Sequence, residues 1–111
     1  VAPPAVLLSG GETTVTVRGE GTGGPNQEFA LSGALELPAD TVLASIDTDG
    51  RDGSTDAAGA LVDSETVTEP EPARAALADN DAYAYLDAEN ALLFSGDTGT
   101  NVNDLRVVVV E

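Results

Sequence analysis

Four aspartates, Asp47, Asp49, Asp52 and Asp56, fall within the stretch DTDGRDGSTDAAG (47–59), which Gly50, Gly53 and Gly59 punctuate. Carboxylates so spaced, on a backbone that glycine frees to turn, are the donors a hard cation such as Mg²⁺ takes. The stretch directly follows the apolar run VLASI (42–46), and α/β proteins place ligands where strands end. Asp-Gly pairs are also ordinary turn formers, so residue type alone leaves ligand binding and turn formation equally open. EF-hand calcium binding is excluded. Counted from Asp47, the fifth position is Arg51, the sixth is Asp52 where glycine is required, and the twelfth is Ala58.

Three further stretches, 9–12, 19–28 and 96–104, stand at turns or strand ends. Their glycines expose backbone N–H groups, Thr98 and Thr100 offer hydroxyls as Thr48 does, and their acids can hold Mg²⁺. This is the equipment of a phosphate-handling site. Cations are scarce: phosphoryl transfer needs positive charge on the transferring group, and only Arg18 and Arg51 lie near these loops. Metal or another domain must supply the rest. Gly19, Gly21 and Gly24 match the G-x-G-x-x-G of a dinucleotide fold between a strand and a helix, with Asp47 available for a ribose. Pro25 and Glu28 oppose a pyrophosphate at that helix start, and a glycine-rich connector is the stronger reading. The run TGTN (98–101) reads as a turn into the last strand; with Asn101, Asn103 and Asp104 so dense, it also reads as a ligand loop or a pinned one.

Composition narrows the classes. Among 111 residues, 20 acids face four arginines and no lysine, for a net charge of −16. Acidity of this degree accompanies disorder in apolar-poor chains, but 41% of these residues are hydrophobic, mostly Ala, Val and Leu. A small-residue core is expected. Such a domain repels itself in dilute salt, and screening shortens that repulsion to roughly 3 Å at about 1 M; the expectation is a protein of an extreme halophile. Nucleic acid and anionic membranes are unfavourable partners. The absence of Cys and His removes disulfides, thiolate chemistry, thiolate or imidazole zinc sites and imidazole bases. No apolar run approaches the roughly 20 residues of a membrane span, and the first residues lack a signal-peptide pattern, so the cytoplasm is expected. Residues 1–5, with Pro3 and Pro4, read as a linker remnant and 6–111 as one domain, part of a longer chain.

The elements that position these loops follow from periodicity. Residues 5–9 read as a buried strand, and 13–18 alternate apolar and polar as a second strand or bend. Residues 26–37 carry helical spacing, with Asn26 as N-cap and Pro38 as stop. Residues 41–46 form the next strand, covered on both faces. Thr55 or Asp56 can cap a helical turn through Ala60, and 64–72 is a solvated acidic connector. Helices over 72–78 and from Asn80 or Asp81 to Ala88, and strands over 92–95 and 105–110, complete the chain. The fold class is α/β: a single domain with a mixed sheet of about five strands and helices packed against it.

Four ordered pieces, LSGGETTVTVRGEGTGGPNQEFAL (8–31), SIDTDGRDGSTDAAGALVD (45–63), NDAYAYL (80–86) and SGDTGTNVNDLRVVVV (95–110), together resemble the MOFRL domain nearly end to end. This is the C-terminal domain of class II glycerate 2-kinases, a family often labelled hydroxypyruvate reductase. The resemblance implies ATP-dependent and Mg²⁺-dependent phosphorylation of D-glycerate to 2-phosphoglycerate, in a cleft shared with an N-terminal Rossmann-like domain of the same chain. It implies a substrate and phosphate wall of Gly10, Gly11, Asn26, Thr48, Thr55, Thr98, Gly99, Thr100, Asn101 and Asn103. Glu12, Asp49, Asp52, Asp56 and Asp104 are its candidate metal ligands. Where the family commonly reads GGRNQE, Pro25 replaces the arginine, so Arg18, Arg51 or the other domain must compensate. The isolated domain is expected to be inactive, and a homodimer is left open. Two other functions compete: an NAD(P)H-dependent hydroxypyruvate reductase, from the glycine pattern and the family label, and a non-catalytic module binding a small ligand, from the lack of Lys, His and Cys.

Overall fold

The computed structural model describes residues 2–12 and 14–111. Its elements run β1 (Ala5–Gly11), α1 (Pro25–Ala34), β2 (Thr41–Asp47), β3 (Gly59–Asp63), α2 (Pro70–Ala78), α3 (Ala82–Ala88), β4 (Leu92–Leu93) and β5 (Asp104–Val110). The strands form one sheet in the order β1-β5-β2-β3-β4. The five strands and packed helices match the sequence expectation, but every pairing is antiparallel where a mixed sheet was expected. The reason lies at β5: the last strand enters between β1 and β2 and runs against both, so no parallel neighbours remain.

Register sorts the side chains. Leu43, Ala60 and Val62 point to the helical side, where α1 lies across β2 and β3, and α2 and α3 pack on α1. α1 buries Asn26, Gln27, Ala30, Leu31 and Ala34, a one-faced stripe at helical spacing. The cluster it joins contains Leu86 and a majority of alanines, the small-residue core that the composition requires. Elements therefore approach closely: a Cβ at Gly33 would come within 2.6 Å of Leu43 Cδ2.

Several local expectations change. β1 is an edge strand and largely exposed, since no helix covers it and only one neighbour pairs with it. Of the alternating stretch 13–18, Thr13 lies outside the described residues and 14–18 form no strand; their hydrogen bonds go to Asn80 instead. α1 begins at Pro25 with Gly24 as N-cap, so Asn26 stands inside the helix. Residues 59–63 are a strand and not the end of a helical turn, because β2 and β3 close as a hairpin around the aspartate loop. β1 starts at Ala5, the last residue of the expected linker remnant. Among the described residues, no helix is long and apolar enough to cross a membrane.

Candidate functional site

Antiparallel register fixes where the loops meet. Gly11 and Asp47 both pair with Asp104, so the C-terminal ends of β1 and β2 and the start of β5 share one edge of the sheet. Glu12 and residues 48–58 and 94–103 all lie at that edge. They enclose a concavity of ≈ 310 Å³ lined by Glu12, Asp47, Asp49, Arg51, Asn101, Asn103 and Asp104, with Pro25 and Gly53. A shallower groove continues from it along Asp49, Arg51, Asp97, Gly99, Thr100 and Asn101.

Below this floor lies a buried polar network, in which Gln27 Oε1 has no hydrogen-bond partner among the described residues. Asp52, fully buried, accepts hydrogen bonds from Asn26 N (3.0 Å) and Asn26 Nδ2 (3.1 Å) at Oδ1, and from Gln27 N (2.8 Å) at Oδ2. It therefore caps α1 from another loop and satisfies N–H groups that the helix itself leaves open. Asn26 Nδ2 also donates to Asp104 Oδ1 (2.8 Å), and Ser45 Oγ donates to Asn26 Oδ1 (2.6 Å). One amide thus ties α1, β2, β5 and the aspartate loop together. Gln27 Nε2 donates to Thr55 Oγ1 (2.8 Å), whose hydroxyl donates to Asp52 O (2.7 Å). Burial pushes the Asp52 carboxyl above its usual range, against the opposing effect of the bonds from Asn26 and Gln27.

The sequence-predicted residues now separate. Glu12, Asp49, Asp104, Asn101, Asn103, Gly99 and Thr100 line the concavity or its groove. Asp52, Asn26 and Thr55 do not; they are buried within the network. Asp56 faces away and accepts the Tyr83 hydroxyl (2.8 Å). Thr48 and Thr98 fasten one loop to the other: Thr48 Oγ1 donates to Asn103 O (2.7 Å), and Thr98 Oγ1 donates to Thr48 O (2.6 Å). Gly10 lies within β1, where its carbonyl accepts a bond from Arg106 Nη2 (3.2 Å), and Gly11 carries φ 132° just before Glu12. Asp47, one of the four aspartates of the loop but not among the metal ligands that the resemblance implies, joins the wall as the last residue of β2. Partial burial first, then Asp49 and Asp104, hold its carboxyl above the usual 3.8, while the Asp49 N–H pulls the other way.

The G-x-G-x-x-G glycines have another explanation. A Cβ on Gly19 or Gly21 would collide with Asp79 or Asp81, and one on Gly24 would come within 2.5 Å of the Asp52 carboxylate. The turn between α2 and α3 clasps this stretch. Asn80 Oδ1 accepts from Arg18 N (2.7 Å) and Gly19 N (2.9 Å), Asp81 Oδ1 accepts from Thr22 N (3.0 Å), and Gly21 N donates to Asp79 O (2.9 Å). The helix N-terminus that a pyrophosphate would need is already filled by Asp52. Sequence reading missed Asn80 and Asp81 as the holders of this segment, because nothing local indicates a partner some 60 residues away.

Comparison with known proteins decides the family: residues 5–104 match the MOFRL family. The chain belongs to the MOFRL family. A D-glycerate 2-kinase of Thermotoga maritima is 48% identical over 96% of this MOFRL chain and 27% of its own length. A glycerate 2-kinase of Pyrococcus horikoshii is 44% identical over 97% and 26%. An Agrobacterium vitis protein, named provisionally as a hydroxypyruvate reductase, is 45% identical over 99% and 27%. The crystal structure of a Thermotoga maritima glycerate kinase superimposes with a TM-score of 0.93 at 46% identity, covering 98% of this chain and 28% of that one. The MOFRL chain thus spans about a quarter of the length of these relatives.

Proposed function

We propose that this MOFRL domain supplies one wall of a glycerate 2-kinase site, in which ATP phosphorylates D-glycerate to 2-phosphoglycerate. The other wall is an N-terminal Rossmann-like domain of the same chain. The observation that carries the reading is the acidic concavity on which three loops of the sheet edge converge, in a domain whose relatives are named glycerate kinases. Its donors are hard oxygens, which fit Mg²⁺. Among the described residues no three acids are grouped closely enough to hold a metal unaided. That suits Mg²⁺, which is commonly held by one or two carboxylates and completed by water and substrate phosphate. Asp49 and Glu12 would hold the ion, with Asp47 and Asp104 adjoining; bound there it would neutralise charge on the transferring phosphoryl group.

Arg51 is the arginine of the concavity and its groove, set beside Gly99, Thr100, Asn101 and Asn103, which would meet substrate or phosphate. Asn26, Thr48, Thr55 and Thr98 position that wall, and Asp52 is assigned to holding α1. With one arginine in the site, the remaining cations come from the other domain. The chain works in the cytoplasm of a halophile, where salt screens its charge. The full encoded chain is expected to consume ATP with D-glycerate and Mg²⁺ and to release 2-phosphoglycerate. A folded full chain without that activity sinks the reading.

The hydroxypyruvate reductase reading keeps support from the relative's name, but its glycine pattern is spent on packing. Oxidation of NADH or NADPH with hydroxypyruvate, without kinase activity, would favour it.

A further inference from the structure

The concavity is lined by the carboxylates of Glu12, Asp47, Asp49 and Asp104, and its groove adds that of Asp97. Among the described residues that line the two, Arg51 alone is cationic, and it borders both. An anion entering here meets one point of attraction in an otherwise repulsive wall. The base of Arg51 is fixed. Its N–H donates to Asp49 Oδ1 (2.8 Å), Gly50 N donates to Asp47 O (3.0 Å), and Thr98 N donates to Asp49 O (3.3 Å), which ties the aspartate loop to the loop facing it. The side chain is held only loosely: it is 62% exposed, and its Nη2 stands 3.8 Å from Oδ1 of Asp97, itself 81% exposed. That separation is beyond hydrogen-bond length, and a pair so exposed holds little energy.

We propose that Arg51 selects the substrate by its carboxylate, and that Asp97 occupies Arg51 until the substrate displaces it. The proposal rests on the reading of the concavity as one wall of a glycerate 2-kinase site, and it names which end of the substrate this wall takes. A guanidinium forks onto a carboxylate with two parallel N–H···O bonds, a geometry that the loose pair with Asp97 does not use. A substrate carboxylate reaching Arg51 therefore replaces a weak contact with a stronger one, and the exposed Asp97 stays hydrated. Charge separates the two reactants. A nucleoside triphosphate brings several negative charges against the acids of this wall, which one arginine does not offset, whereas a hydroxy acid brings one. Neutral polyols gain nothing from Arg51, so the same contact discriminates glycerate from glycerol. Asp97 competes for Arg51, and its removal strengthens substrate binding, the opposite of what loss of a structural ion pair would do.

The test uses the full encoded chain at one fixed KCl concentration, with KM measured for D-glycerate and for MgATP and binding of D-glycerate alone measured by calorimetry. Arg51→Gln is expected to weaken D-glycerate by about tenfold or more in both measurements, with the KM for MgATP within about twofold of the parent. Asp97→Asn is expected to tighten D-glycerate by about twofold and to change nothing in an Arg51→Gln background. Arg74→Gln, which removes an equally exposed arginine and its pair with Glu71 on α2, should move neither constant. Unchanged affinity for D-glycerate in Arg51→Gln overturns the proposal. A rise confined to the KM for MgATP assigns Arg51 to phosphate and overturns it equally, as does an Asp97→Asn chain that binds D-glycerate no more tightly than the parent. A parent chain that binds D-glycerate through Arg51 without phosphorylating it refutes the functional reading alone, and one that binds no D-glycerate refutes both.

Discussion

At the scale of single residues, the acids of this chain divide into those that hold the fold and those that face solvent in the site. Asp52 belongs to the first group. Its removal leaves Asn26 N, Gln27 N and one proton of Asn26 Nδ2 buried without acceptors. At about 1–3 kcal/mol for each unsatisfied group, Asp52→Ala is expected to lose roughly 3 kcal/mol or more in urea unfolding. Asp56→Ala, which breaks only an exposed bond to Tyr83, should lose less than about 1 kcal/mol; equal losses would refute the assignment. Asp47 belongs to the second group. Its folded pKa lies above the usual 3.8, so the folded chain binds more protons than the unfolded one between those values. The stability this group contributes is full below 3.8 and is lost as pH rises through the raised value. Asp47→Asn should therefore flatten the fall in melting temperature on going from about pH 4 to pH 7. A steeper fall in the variant would reverse the sign and remove the argument.

At the scale of elements, the glycine-rich segment shows what a sequence conceals. Its conformation is set by Asp79, Asn80 and Asp81 from one side and Asp52 from the other, and no local pattern encodes those partners. β2, β5, α1, α2 and α3 were legible because their apolar spacing is local, and the convergence of loops was legible because strand ends announce it. β3 was misread since Ala57, Ala58 and Ala60 favour a helix, while the hairpin with β2 overrides them. The roles of Asp52 and Asp56 were illegible for a related reason: both are aspartates of one loop, and only the tertiary path of that loop turns the first inward and the second toward Tyr83. The clasp yields a prediction at its own scale. Gly24→Ala would press a methyl against the Asp52 carboxylate and should destabilise by about as much as Asp52→Ala, with the double variant far from additive. Gly96→Ala meets nothing within 4 Å and bears only the strain of φ 69°, about 1 kcal/mol. Chemical denaturation of the four variants separates these cases; additivity of Gly24→Ala and Asp52→Ala would show that the two do not share one contact.

At the scale of the whole molecule, the question is how a domain of net charge −16 stays folded with a core built largely of alanines. Ion pairing is not the answer. Arg51 pairs with Asp97 at 3.8 Å and Arg74 with Glu71 at 3.2 Å, both exposed, and such pairs contribute little. Repulsion among the remaining acids must be screened by the solvent. Raising KCl from about 0.1 M to about 1 M shortens the screening length from roughly 10 Å to roughly 3 Å, below the spacing of most surface charges. The melting temperature of this chain should therefore climb by about 10 °C or more over that interval, since a few kcal/mol moves a domain of this size by that much. Further KCl should add little once charges are screened. Sulfate, which strengthens apolar burial by exclusion from the surface, should continue to raise the melting temperature. The two salts thus separate the charge term from the small core. A melting temperature flat in KCl would mean that the fold tolerates its charge unaided, and the halophile reading would fall with it.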